Sequence, residues 1–178
     1  EPLRFRLLAD FRHPEKPRIN LLPLLAFNLY DGLMIGGAMY SVPIPQKKWN
    51  YTLMPFFSTF SLQPVGMAEF KYHKFIKRHR LTEGIAFKTF HKRLKRFDST
   101  RPYEFADRFY KITPYIALEL AKKSALSTES HSIRFQHSLI LEERGIESRV
   151  NNGLFSYYEY LGKEISWRST HRLQYQYK

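Results

Sequence analysis

Apolar and polar residues alternate with a period of two along much of this chain. From Arg108 to Leu120 one parity reads Arg108, Tyr110, Ile112, Pro114, Ile116, Leu118 and Leu120, and the other Phe109, Lys111, Thr113, Tyr115, Ala117 and Glu119. Downstream, Ile133, Phe135, His137, Leu139 and Leu141 alternate with Arg134, Gln136, Ser138 and Ile140. Near the C-terminal end Ile165, Trp167, Ser169, His171, Leu173, Tyr175 and Tyr177 oppose Ser166, Arg168, Thr170, Arg172, Gln174 and Gln176. A helix would scatter each set around its circumference, whereas a strand puts each on one face, so these segments are expected to be strands.

Extended along the chain, the pattern predicts about ten strands, near 3–10, 18–28, 33–41, 49–61, 65–76, 82–91, 104–121, 131–143, 153–161 and 165–177. Tyr30-Asp31-Gly32 and Gln63-Pro64-Val65-Gly66 read as tight turns, and Pro43 to Lys48 as a polar loop. Most of these strands reach the roughly 9 to 11 residues that a tilted strand needs to cross a bilayer. No internal repeat or Gly/Ser-rich linker divides the chain, so residues 1–178 are expected to form a single β domain.

Composition narrows what that domain can be. With no cysteine, disulfide scaffolds, thiol nucleophiles and Cys-ligated zinc are excluded. Hydrophobic residues make up 43% and aromatic residues 16% of the chain, which argues against disorder. Mean hydropathy is nonetheless −0.45, and 29 Lys+Arg against 16 Asp+Glu leave a formal net charge of +13. The longest apolar runs, Leu21 to Phe27 and Leu33 to Tyr40, are too short for a membrane-spanning helix. Glu1-Pro2-Leu3-Arg4 has no secretory-signal character, so the chain is expected to be processed or to be part of a longer protein.

An antiparallel β chain of this size must close or cover its edges. In a soluble barrel or sandwich the apolar parity would point inward. In an outer-membrane barrel it would face lipid around a polar lumen, with aromatic residues at both interfaces. Long strands, long polar side chains on the polar parity, and aromatics near strand ends (Tyr51, Tyr157, Tyr158 and Tyr160 among them) favour the membrane version. The expected fold is therefore an all-β, antiparallel up-and-down transmembrane β-barrel of about ten strands, complete or a fragment. Ile112, Ile116, Leu118, Leu120, Ile133, Phe135, Leu139 and Leu141 would face lipid, and Trp49, Trp167, Tyr175 and Tyr177 would mark the interfaces. Lys77, Arg78, Arg80, Arg93, Arg134, Arg168 and Arg172 would line the lumen or its rims. Pro23, Pro55 and Pro114 fit either version poorly, because proline removes a ladder donor.

The stretch Phe27-Asn28-Leu29-Tyr30-Asp31-Gly32-Leu33-Met34-Ile35-Gly36-Gly37 resembles the start of the C-terminal outer-membrane β-barrel of gluzincin aminopeptidase-like metallopeptidases of Gram-negative bacteria, with an Asn-x-Tyr-Asp-Gly turn at Asn28, Tyr30, Asp31 and Gly32. Met54-Pro55-Phe56-Phe57 and Val65-Gly66-Met67-Ala68-Glu69-Phe70-Lys71-Tyr72 look like the same family's Pro-aromatic strand and its return strand. The resemblance is specific over residues 2–75 and covers only strand alternation beyond. It implies an outer-membrane location and a membrane anchor or translocation domain for an upstream zinc peptidase-like domain, with outer-membrane lipid and lipopolysaccharide as partners. The related surface-antigen barrels carry an Arg-Gly-aromatic lumen loop, and the nearest segment here, Glu143-Arg144-Gly145-Ile146, has no aromatic.

No catalytic chemistry is expected within the chain itself. His13, His73, His79, His91, His131, His137 and His171 never take the His-Glu-x-x-His spacing of a zinc peptidase, and His137 lies on an apolar parity where packing is the simpler role. No Gly-x-Ser-x-Gly elbow or phosphate-cradling glycine loop is present, and no cofactor or metal is called for. Glu119 is expected to pair with Arg134 or Arg168 across the lumen face. The basic, aromatic-interleaved stretches Lys71 to Arg80 and His91 to Arg96 point, in a soluble β protein, to nucleic acid as the alternative partner. In a barrel they would contact lipopolysaccharide phosphates or the lumen.

Overall fold

In the computed structural model, residues 4–7, 18–41, 48–95, 105–121, 129–151, 153 and 156–177 are described. They form one sheet of nine strands in chain order: β1 (Arg4–Leu7), β2 (Arg18–Asn28), β3 (Gly32–Tyr40), β4 (Trp49–Ser58), β5 (Pro64–Ile76), β6 (His79–Lys95), β7 (Phe105–Glu119), β8 (His131–Asn151) and β9 (Ser156–Tyr177). Strands β2 to β9 make an eight-stranded antiparallel meander, and β1 runs parallel to the outer edge of β2 from Arg4↔Arg18 to Leu7↔Leu21. No ladder joins β9 to β1 or β2 among the described residues, so the sheet is open where a closed barrel was expected. Of the expected elements, Pro43 to Lys47 of the polar loop lie outside the described residues.

Ten strands become nine because the segments expected at 153–161 and 165–177 are one strand. The sequence leaves residues 162–164 between two expected strands, yet the β8–β9 ladder passes through them with a register shift between Ile146 and Glu147. Gly162, at φ +144°, absorbs the extra residue in a backbone conformation that side chains disfavour, so β9 bends and continues. Strand β8 likewise runs on to Asn151, and Glu143-Arg144-Gly145-Ile146 is paired with Ile165 to Gly162 instead of forming a lumen loop.

Pro55 and Pro114 sit where one ladder lapses, whereas Pro23 is paired with Gly37 within the unbroken β2–β3 ladder. Between β7 and β8 the pairing skips from Ile112↔Leu139 to Tyr115↔Gln136, leaving Pro114 without a partner on that side. Between β3 and β4 it skips from Gly36↔Phe56 to Met39↔Leu53, which passes over Pro55. At Pro55 and Pro114 the missing donor thus falls in a gap instead of breaking a continuous ladder.

The sheet curves enough for side chains to meet across intervening strands. Met34 of β3, Phe56 of β4 and Val65 of β5 pack in one apolar cluster with Leu24 of β2 and Phe90 of β6. Elsewhere the distribution is inverted relative to a soluble protein. The largest fully buried side chains are Asn20, Asp31, Ser58 and Ser138, all polar, while Leu25, Phe27, Trp167 and Leu173 are each more than 70% exposed.

Candidate functional site

Register assigns every paired residue to a face, because directly opposite residues share one. The row Leu53↔Ala68↔Phe87↔Ile112↔Leu139↔Ser169 lies on the convex face, and Trp49↔Tyr72↔Glu83↔Ile116↔Phe135↔Leu173 runs beside it. Leu118, Ile133 and Leu141 belong to the same face, and Leu120, just past the end of β7, is bonded through its N–H to the His131 carbonyl at 2.9 Å. Trp49 packs on Tyr72 with ring centroids 4.6 Å apart at one end of the sheet, where Tyr175 and Tyr177 also lie and flank His131. Trp167 sits toward the other end, opposite Leu141 in the row that contains Tyr110. His137 is also on the convex face, its Nδ1 3.0 Å from Nδ1 of His171.

The turn from β2 to β3 closes one end. Asn28 Oδ1 accepts from the backbone N–H groups of Tyr30 and Asp31 at 2.8 and 2.6 Å, the local bonding that makes Asx residues turn formers. Asn28 Nδ2 donates to Asp31 Oδ2 at 2.8 Å, and Ser58 Oγ donates to the Asp31 carbonyl at 2.8 Å. Strand β5 begins at Pro64 and leaves the edge of β6 unpaired beyond Thr89; there the His91 backbone N–H donates to Asp31 Oδ2 at 3.3 Å and its ring Nδ1 meets Oδ1 at 2.5 Å. Burial opposes ionisation of Asp31, but the bonds from His91 and Asn28 outweigh it and hold the carboxyl below its ordinary value. Arg108 adds bonds to Thr89, Gln63 and the Pro64 carbonyl.

The concave face is polar and cross-linked. Gly84 lies directly opposite Tyr115, and a Cβ there would come within 2.4 Å of the Tyr115 ring. The missing side chain lets Tyr115 of β7 lie over β6 and donate to Glu69 Oε1 of β5 at 2.7 Å, while Lys71 Nζ reaches Glu69 at 2.9 Å. The Arg134 guanidinium stacks on the other side, 3.9 Å from the Tyr115 ring centroid. Arg80 pairs with Glu119 through its guanidinium, and His73 Nδ1 meets Thr82 Oγ1 at 2.9 Å. Buried Glu142 of β8 gathers Lys92 at 2.6 Å, Arg168 at 2.5 Å and Arg144 at 3.4 Å. Two cavities open here, one of about 640 Å³ between Leu22, Tyr40, Lys71 and Arg80, and one of about 390 Å³ between Met54, Glu69, Lys88, Lys111 and Arg134.

Of the basic residues singled out from the sequence, Lys77 and Arg78 form the β5–β6 turn and Arg80, Arg134, Arg168 and Arg172 lie on the concave face. The side chains of Arg93, Tyr157, Tyr158 and Tyr160 lie outside the described residues. Glu119 pairs with Arg80, not with Arg134 or Arg168 as expected, since β6 and not β8 brings a guanidinium opposite it. Tyr115, Glu69, Lys88, Lys111 and Glu142 become candidates only in the folded sheet: the parity of each within its strand is readable from sequence, but which strand faces which is not. Among the described residues no three His, Asp or Glu side chains gather as a metal site. Comparison with known proteins finds no matching family, curated protein or solved structure.

Proposed function

We propose that this sheet is the wall of a transmembrane β-barrel in an outer membrane, convex face to lipid and concave face to the lumen, acting as the membrane anchor or translocation domain of a larger protein. The observation that carries the reading is the inversion of burial: the sheet turns Leu25, Phe27, Ile112, Phe135 and Leu173 outward and buries Asn20, Thr82, Thr113 and Ser138. In water so many large apolar side chains on one face would be unfavourable, and in lipid this is the favourable orientation. Along β9, Trp167 and Tyr175 bracket a nine-residue stretch, at the lower end of the roughly 9 to 11 residues that cross a bilayer with tilt. Closure of the barrel would come from strands beyond those described or from pairing of the two edges, and lipid and lipopolysaccharide are the partners of the outer surface. The attachment to a zinc peptidase-like domain rests on the resemblance at Phe27 to Gly37 and Met54 to Tyr72.

Ile112 provides the test, because its cross-strand neighbours Phe87 and Leu139 are both apolar and offer no counter-charge. Wild-type protein is expected in the membrane fraction, and Ile112→Arg should lose about 2 to 4 kcal/mol of unfolding free energy in lipid or detergent, as for a cation at mid-bilayer. Freely soluble wild-type protein in which Ile112→Arg changes stability by less than about 0.5 kcal/mol, the usual surface value, would overturn the reading. Salt-dependent oligonucleotide binding by that soluble protein would then support a nucleic-acid module instead.

A further inference from the structure

Lys88 and Lys111 are directly opposite one another on the concave faces of β6 and β7. Like charges in that arrangement repel at a Cβ separation of about 5 Å. Neither lysine takes part in an ion pair among the described residues, although Lys71, Arg80, Lys92 and Arg168 on the same face all do. The cavity of about 390 Å³ that both line holds a third cation, Arg134, whose Nε is buried without a hydrogen-bond partner. Its one acid, Glu69, is already matched by Lys71 and by the Tyr115 hydroxyl. Three cations therefore converge on one small-molecule-sized space with a single carboxylate, Glu69, which Lys71 also shares. The stack of Arg134 on Tyr115 fixes the guanidinium in place before any ligand arrives.

We propose that Lys88, Lys111 and Arg134 form a binding site for a compact, multiply charged phosphate ligand. Its oxygens would take the charge-assisted hydrogen bonds that the three cations have free, and its charge would relieve the Lys88–Lys111 repulsion. Gln136, which lines the same cavity, adds an amide as a further donor. A soluble phosphorylated molecule fits better than a lipid headgroup, because the site lies on the face opposite the apolar convex surface. The anion site itself stands on the concave face alone, while the choice of a soluble ligand over a lipid rests on the membrane reading of the convex face.

Thermal unfolding of the full chain, in the buffer or detergent in which it is folded, tests this with inorganic tripolyphosphate as probe and ionic strength held constant. The wild type should show a saturable rise in Tm, Lys88→Gln and Lys111→Gln a reduced rise, and the double variant none. Arg78→Gln, which removes the same charge at the β5–β6 turn, should retain the full rise. Without ligand, Lys88→Gln should melt no lower than wild type, since it removes a repulsion; a lower melting point would mean that the lysines serve structure instead. No rise in the wild type, or equal rises in wild type and double variant, would overturn the site. Stabilisation by phosphatidic acid in mixed micelles without any by tripolyphosphate would overturn the soluble ligand class.

Discussion

The part of the sheet built by β2 to β7 and the hairpin of β8 and β9 are held together differently, although both are antiparallel ladders from the same kind of alternation. In the first, side chains tie strands that are not neighbours: the Asp31 turn reaches β6, Tyr115 reaches from β7 to β5, and Met34 packs within a cluster running from β2 to β6. In the second, Glu142 of β8 still reaches back to Lys92 of β6, but β9, with 22 residues, is hydrogen-bonded to β8 alone, and from Gln174 back to Trp167 every residue is exposed. The lesson is that curvature, more than ladder length, buries groups here. Where strands curl toward one another polar residues become inaccessible and must be matched; where the sheet stays open, the stretch of β9 from Trp167 to Tyr177 stays exposed throughout. Strand β9 therefore draws its stability from β8, and from whatever covers its faces and its free edge.

The sharpest way to break this contrast is at Asp31. Asp31→Ala leaves His91, the Asn28 amide and the free edge of β6 without their acceptor in a fully buried place. Each buried donor left unmatched costs about 1 to 3 kcal/mol, so the summed loss should be the largest of these effects. The matching change in the hairpin, Lys163→Ala, removes a surface pair with Glu143 at 3.3 Å and should cost less than about 1 kcal/mol. Denaturant unfolding of the two variants measures both. The pH dependence follows from the same carboxyl. A folded-state pKa lowered from its ordinary value contributes stability that is fully present above that ordinary value. The gap between wild type and Asp31→Ala should thus hold from neutral pH to about 4 and narrow as pH falls further. A gap that widened in acid would contradict an ionised Asp31.

Two tyrosines sharpen the contrast with smaller effects. Tyr115→Phe removes the hydroxyl that bonds Glu69 across β6, and a hydrogen bond to a charged group is worth about 1.5 to 3 kcal/mol. Tyr175→Phe removes a bond of the same length, 2.7 Å, to His131 on an exposed surface. Its cost should stay within about 0.5 kcal/mol. Equal losses would mean that β9 is buried as deeply as β7, which would place an unseen wall against the hairpin.

What could be read beforehand was whatever depends on neighbours in sequence. Period two alone assigns Ile112 and Ile116 to one face and Thr113 and Tyr115 to the other, because no tertiary knowledge enters. Asn28, Asp31 and Gly32 announce a turn through local side-chain chemistry, and the structure bears that turn out. What could not be read depends on register between strands. Glu119 meets Arg80 because the two-residue β5–β6 turn and the β6–β7 register fix that match, and neither is encoded near Glu119. Lys88 and Lys111 are unremarkable until the ladder sets them opposite. Buried Asp31–His91 joins residues 60 positions apart, and its signal, an Asp in a turn and a His ending a strand, is common to many sequences that never bring the two together.

The bulge at Gly162, in the gap expected between two strands, leads to a further effect. Glycine in a chain can mean a reversal or a bulge, and local sequence does not separate them; here the partner strand β8 does, by running straight past it with one register shift. A Cβ at Gly162 would meet nothing within 4 Å, so Gly162→Ala should cost only what φ +144° imposes on a side chain, about 1 to 2 kcal/mol. At Gly84, where an added Cβ would strike the Tyr115 ring, the cause would be steric and the loss would spread to Glu69. Amide hydrogen exchange distinguishes them. For Gly162→Ala, protection should fall in β9 before the bulge, Ser156 to Tyr160, and in the paired stretch Glu147 to Asn151, while β5 to β7 stay unchanged. If protection fell equally in β5 to β7, the hairpin would be unfolding with the rest of the sheet, and the division into a cross-linked body and a dependent hairpin would be wrong.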